Sequence, residues 1–301
     1  PNPKPQTPNP VESSETVKET NESELPKHLT KVKGIYKEMD HQRKLMIDDY
    51  EVIKEIDQGS FGKIYHVRKE GTSKEFAIKK IEKKKISSEK MKAYFDTEVS
   101  IMNEIMHERI LHLYELLESK NTYYLVVDYC NGGNLKKKLS QFPSGFPEVA
   151  AVDYLRQIIE GFQVLRDHSI LHRDFKLENI LLRNNSVVIG DFGYAKQGES
   201  VADSFVGTPM MMAPEILQNN ATAYDYKADL WSVGLIFYEM LFGANIFFDL
   251  DRNKMLKKIG MYSGKSLPFP KEISREAQHF LRGVLQPDIA SRFDWETIVN
   301  H

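Results

Sequence analysis

From Tyr50 onward, apolar and polar residues alternate along the chain. The stretches "YEVIKEI", "KIYHVRK" and "EFAIKKI" are rich in Ile, Val, Tyr and Phe, and their two-residue period predicts three antiparallel strands, the first two joined by "DQGSFG". About residues 90–106 the period lengthens to that of a helix, with Phe95, Val99, Met102 and Met106 on one face, and "ILHLYELLE" and "YYLVVDY" then predict two further strands. Beyond "NGG" at 131–133 the pattern is mainly helical, with helices expected at about 147–167, 226–242, 253–259, 274–285 and 295–300. The expectation is an α+β fold in two lobes. A small lobe with five strands and one main helix would span 49–129 and a larger, mainly helical lobe 130–301, with a ligand-binding cleft between them.

The first 48 residues read differently. "PNPKPQTPNPVESSETVKETNESE" is Pro-rich, then rich in Ser, Thr and Glu, and has too little apolar surface to offset chain entropy, so residues 1–26 are expected to be a disordered tail. Leu29, Val32, Ile35, Tyr36 and Met39 recur at helical spacing, which predicts a short amphipathic helix within 27–48 that caps the domain or lies on a partner.

Composition narrows the function classes. A chain of 301 residues, 41% of them hydrophobic, supports a sizeable core, and a net charge of −2 argues against a dedicated nucleic-acid or membrane binder. Cys130 is the sole cysteine, which excludes an intramolecular disulfide and a cysteine-based zinc site. No apolar run of about 18 residues and no signal-peptide pattern is present, so an intracellular, cytoplasmic protein without a membrane span is expected.

The chemistry concentrates in "ILHRDFKLENILLRNNSVVIGDFG", residues 170–193, where a charged loop separates short apolar runs and "NN" turns the chain back to deliver a second acid. Asp191 with Asn179 is a plausible oxygen-ligand set for Mg²⁺, which takes one or two carboxylates and leaves room for phosphate oxygens. Asp174 is a candidate to orient a hydroxyl and accept its proton, and Lys176 to stabilise charge on a transferring phosphoryl group.

The elements "GSFGKI", "FAIK" with Lys79, "TEVSIM" with Glu98, "HRDFKLEN", "DFG", "GTPMMMAPE" and "DLWSVG" stand in the order found in eukaryotic protein kinases, which the chain resembles over about residues 50–301. The resemblance implies the bilobal protein-kinase fold, ATP and Mg²⁺ as cofactors, and a protein substrate. By that resemblance Lys79 contacts the α- and β-phosphates and pairs with Glu98, while Gly59, Ser60, Phe61 and Gly62 cover the phosphates. Val127 backs the adenine pocket, the backbones of Asp128 and Cys130 bond adenine, Asn134 lies near the ribose, and Ile56, Ile64, Ala77 and Leu181 bind the nucleotide. A P-loop ATPase is excluded, because Gly62-Lys63 lacks a following Ser or Thr and the needed upstream Gly is Asp57.

Further implications follow from the same likeness. Lys176 with Thr208 is the serine/threonine pattern. Arg173 marks kinases whose activation segment is ordered by phosphorylation, with Ser204 the expected site. His172 reads as a packed histidine in the column Met102, Leu113, His172 and Phe192, Glu215 and Arg292 as a buried ion pair, and Asp229 as the anchor of the catalytic loop. Two departures are Asp57, in place of the first loop glycine, and Met211, in place of the usual Tyr ahead of "APE". Within the family the motifs are most similar to ULK-type, autophagy-initiating kinases, followed by NIMA-related and calcium/calmodulin-dependent kinases. An active Ser/Thr kinase is the main reading. The alternatives are a catalytically weak scaffold that binds ATP without turnover, and a small-molecule kinase. A regulatory partner is expected to act through the N-terminal tail or a segment beyond residue 301.

Overall fold

The computed structural model describes residues 29–31, 36–39, 42–58, 62–198, 206–218 and 225–301. The expected tail at 1–26 lies outside them. The small lobe is built from β1 (Leu29–Lys31), β2 (Tyr36–Met39), β3 (Gln42–Ile47), β4 (Tyr50–Gln58), β5 (Lys63–Lys69), β6 (Glu75–Glu82), α1 (Glu89–Glu104), β7 (Leu113–Glu118) and β8 (Thr122–Asp128). Its strands form one sheet in the order β1-β7-β8-β6-β5-β4-β3-β2, antiparallel except where β1 joins β7. The five strands read from the alternation are β4 to β8.

The other three strands correct the expectation of a helix within 27–48. Edge strands present a row of unpaired backbone donors and acceptors. Leu29–Lys31 takes up the free edge of β7, in register with Leu116 to Glu118, and Gln42–Ile47 pairs with the start of β4. A short isolated helix has a costly nucleus, so backbone pairing with a sheet already in place wins over a five-residue apolar periodicity.

The sheet is curled. Ile47 of β3 and Tyr50 of β4 share a buried cluster with Leu117 of β7, Tyr124 and Val126 of β8, Val67 and Ile78, although β7 and β3 stand far apart in strand order. The opposite face carries Ala77, Ile81, Leu116 and Leu125 and packs with Phe95, Val99 and Met102 of α1. Ser88 starts that helix, its hydroxyl accepting from Met91 N at 3.3 Å. Met106 does not join this face. It lies past the helix end at Glu104 and is 83% exposed, because the chain leaves helical geometry at Ile105.

The large lobe contains α2 (Leu135–Leu139), α3 (Glu148–Asp167), β9 (Ile170–Leu171), β10 (Ile180–Arg183), β11 (Ser186–Ile189), β12 (Lys196–Gln197), α4 (Pro214–Leu217), α5 (Tyr226–Phe242), α6 (Arg252–Tyr262), α7 (Arg275–Val284) and α8 (Trp295–Val299). Asn184 and Asn185 both take positive φ, 53° and 67°, the two-residue turn that suits a tight hairpin between β10 and β11. Helix α5 is buried from Ala228 to Leu241, capped by Asp225 and ended by left-handed Gly243, and α3 and α7 pack on it as the hub of the lobe.

Candidate active site

Period two puts Ala77 and Lys79 on the cleft side of β6 and Ile78 in the cluster behind it. Lys79 Nζ meets Glu98 Oε1 of α1 at 2.6 Å, so this pair ties the helix to the sheet. Burial opposes charge on Lys79, but the Glu98 and Asp191 carboxylates outweigh it and hold the ammonium above its ordinary value.

The loop after β9 is held from beneath. Asp229 of α5 accepts from His172 N at 2.8 Å and Arg173 N at 3.0 Å, which stabilises a left-handed Arg173 at φ 62°. That backbone reversal presents Asp174, whose carboxylate takes the Thr208 hydroxyl at 2.6 Å on one oxygen and Lys176 Nζ at 2.7 Å on the other. Lys176 also reaches Thr208 Oγ1 at 2.9 Å, closing a triangle. Gly207 precedes Thr208 with φ 108°, and a Cβ there would sit 2.3 Å from Arg173 O, so only glycine lets the two segments meet.

Asn179 joins this loop to the second acid. Its amide donates to Asp174 O at 2.8 Å, and Gly190 N donates to its backbone carbonyl at 3.0 Å, one residue before Asp191. Asp191 also has a left-handed backbone, φ 64°. His172 is fully buried, 5.4 Å from the Phe192 ring, with Nε2 3.2 Å from Gly190 O, and Met102 and Leu113 are buried with it in the core that joins the lobes.

A cavity of about 770 Å³ opens between the lobes. Ile56, Gly62, Ile64, Ala77 and Leu181 line it, as do Val127, Asp128, Cys130 and Asn134 along the inter-lobe segment. Lys79, Glu98, Asn179 and Asp191 line its inner end. Asp174 and Lys176 stand outside its wall, connected through Asn179. Asn134 Oδ1 is engaged as the cap of α2, accepting from Lys137 N at 2.8 Å. Gly59, Ser60, Phe61 and Ser204 lie outside the described residues.

The two departures have different settings. Asp57 is exposed at the cavity rim in β4, with Oδ1 accepting from Gln58 N at 2.7 Å. Met211 is 5% exposed and packed beside Asn245, whereas its neighbour Met210 is 36% exposed, so Met211 acts in the core rather than on a docking surface. Sequence reading missed Leu111, which lines the cavity, and Arg183, which bonds the Asp128 carboxylate at 2.7 Å. Neither carries a local signal: one reads as strand filler, the other as a strand-end charge.

The fold and the arrangement of two acids, a paired lysine and an amide around an inter-lobe cavity define a nucleotide-dependent class of proteins. The model of the protein kinase domain matches residues 50–301, and the chain belongs to that family. It is similar to CBL-interacting protein kinase 26 of Oryza sativa subsp. japonica, 35% identical over 84% of this chain and 52% of the relative. It is also similar to serine/threonine-protein kinase atg1 of Dictyostelium discoideum, 34% identical over 85% of this chain and 39% of the relative. A third relative is serine/threonine-protein kinase AtPK1/AtPK6 of Arabidopsis thaliana, 36% identical over 89% of this chain and 55% of the relative. The chain thus spans about half the length of the curated relatives it matches, and the autophagy-type likeness stands beside equally strong likenesses to other Ser/Thr kinases. Among the described residues, no helix is long and apolar enough to cross a membrane.

Proposed function

We propose that this chain is the catalytic domain of a Mg²⁺-ATP-dependent protein serine/threonine kinase. The observation that carries the reading is the Asp174, Lys176 and Thr208 triangle beside a cavity whose inner end holds the Lys79–Glu98 pair and Asp191.

In this reading the cavity takes ATP, with adenine between Ile64, Ala77 and Leu181 and against the backbone of Asp128 and Cys130. Lys79, kept protonated, holds the α- and β-phosphates. The donor set suits a hard cation: Asp191 and Asn179 supply oxygens and leave the remaining positions to phosphate. Mg²⁺ would there neutralise phosphate charge. The substrate hydroxyl enters where Thr208 donates to Asp174. Asp174 accepts the proton as the hydroxyl oxygen bonds the γ-phosphorus, the bond to the β,γ-bridging oxygen breaks, and ADP leaves. Lys176 stabilises charge on the phosphoryl oxygens in flight.

Regulation by phosphate at Ser204 is part of the proposal. Arg173 and Lys196 line a second recess of about 570 Å³ with Tyr94 and Thr97 of α1, and basic side chains are the kind of group that takes a phosphate's oxygens. The test is transfer from labelled Mg²⁺-ATP to the protein itself and to a basic protein substrate, with Asp174→Asn alongside. Phosphoserine or phosphothreonine that vanishes in the variant supports the kinase. Saturable ATP binding without transfer, in protein phosphorylated at Ser204, overturns it in favour of a scaffold.

A further inference from the structure

Asp128 is the last residue of β8, just before the chain crosses to the large lobe, yet its carboxylate is 8% exposed and bonded from both sides. From the small lobe, the Tyr114 hydroxyl donates to Oδ1 at 3.0 Å and His112 N to Oδ2 at 3.1 Å. From the large lobe, Arg183 Nη1 of β10 donates to Oδ1 at 2.7 Å, and Nη2 donates to Glu108 O at 3.3 Å. Donors from two parts of the chain, the start of β7 and the end of β10, therefore meet on one buried carboxylate.

The crossing itself changes partners within a few residues. The Tyr129 ring lies flat on His66 of β5, with centroids 3.7 Å apart and planes 10° from parallel, which binds it to the small lobe. Asn131 exchanges two hydrogen bonds of 2.8 Å with Asn184, and Gly132 N and Gly133 O bond Leu182, which binds them to β10. The pivot thus falls near Cys130, and Arg183 reaches back over it from the large lobe to Asp128. Rotation of the lobes about that pivot moves Arg183 relative to Asp128, since the two stand on opposite sides of it.

We propose that Arg183 is a positioning residue that latches the lobes together at this crossing through Asp128 and so slows release of nucleotide. It touches no substrate itself and acts through the Asp128 backbone that walls the cavity; this rests on the kinase reading above. The Lys79–Glu98 pair is intact in the same conformation, so the latch belongs to the assembled state and adds to its population. A charge-assisted bond to a buried carboxylate is strong enough to matter there.

The experiment is stopped-flow displacement of a fluorescent N-methylanthraniloyl ADP from the full chain, together with KM for ATP and the single-turnover transfer rate. Arg183→Gln is expected to raise the ADP dissociation rate and KM about tenfold while the saturated single-turnover rate stays within twofold. Arg183→Lys, which keeps one charge but loses the second bond, is expected to fall between Gln and wild type. In the Asp128→Asn background, Arg183→Gln is expected to add no further change. A dissociation rate within twofold of wild type, with only the melting temperature lowered, would make Arg183 merely structural and overturn the latch. If Arg183→Gln does not fold, the Lys variant decides by the same criterion. Wild-type protein that binds no fluorescent ADP overturns the kinase reading and the latch with it, an outcome distinct from unaltered release in the variants.

Discussion

The Thr208 hydroxyl donates to Asp174 at 2.6 Å, although the two residues are 34 positions apart, and Lys176 bonds both. A hydroxyl from the protein thus stands before the carboxylate proposed as the base, and the ammonium fixes both. Thr208→Val keeps the volume and removes the hydroxyl. We expect kcat for peptide phosphorylation to fall about tenfold, with KM for ATP within twofold, and Thr208→Ser to recover most of the loss. Asp174→Asn should cost about 10²–10⁴ in kcat, the range of a general base. Steady-state transfer from labelled ATP measures each.

The Lys79–Glu98 contact couples α1 to β6 across the cavity. Glu98→Gln removes one of the two carboxylate charges that hold Lys79 protonated and leaves Asp191 alone against burial, which lowers the Lys79 pKa. The expected result is a loss of at least about tenfold in kcat/KM for ATP, one power of ten being 1.4 kcal/mol of transition-state stabilisation. A variant with unchanged kcat/KM would show that the pair does not serve phosphate binding.

Glu215 and Arg292 form a two-pronged pair of 2.8 and 2.9 Å, with the Arg292 side chain fully buried and set over Trp231. Removing one partner of such a pair costs about 3–5 kcal/mol. Arg292→Ala should therefore lower the melting temperature by roughly 10 °C, given about 2–4 °C per kcal/mol at this chain size. Arg292→Lys should recover little, because a point charge cannot reproduce the fork. Calorimetry checks both, and an unchanged melt would contradict the assignment.

Burial, then the neighbouring Asp128 charge, pushes the Cys130 thiol up to about 12 from 9.0. The folded protein then keeps the thiol protonated at pH 8, and iodoacetamide should modify it at least about tenfold more slowly than in urea, since the thiolate is the nucleophile. The same shift favours the folded state fully below pH 9, and that advantage declines as pH rises from about 9 to about 12. Mass spectrometry of the alkylated protein and a melting series across that range follow each effect.

Much of this molecule was legible along the chain. Alternation located β4 to β8, helical spacing located α1, α3 and α5, and the pair Asn184-Asn185 announced its hairpin, because these elements depend on local burial and turn chemistry. The residues Lys79, Glu98, Asp174, Asn179 and Asp191 were likewise marked by residue type and order, and all but Asp174 line one cavity.

What the chain alone left undecided required partners distant in sequence. Leu29, Val32, Ile35, Tyr36 and Met39 carry a helical spacing, yet the free edges of β7 and β4 take up Leu29–Lys31 and Gln42–Ile47 as strands. Met106 continues the apolar period of α1 but lies beyond the point where the helix stops. Arg183 looks like a solvated strand-end charge until the fold brings it the Asp128 carboxylate, which Tyr114 and His112 N also bond. Periodicity reports the burial of a segment on its own axis, whereas sheet edges, buried carboxylates and backbone reversals are completed by groups that only folding delivers.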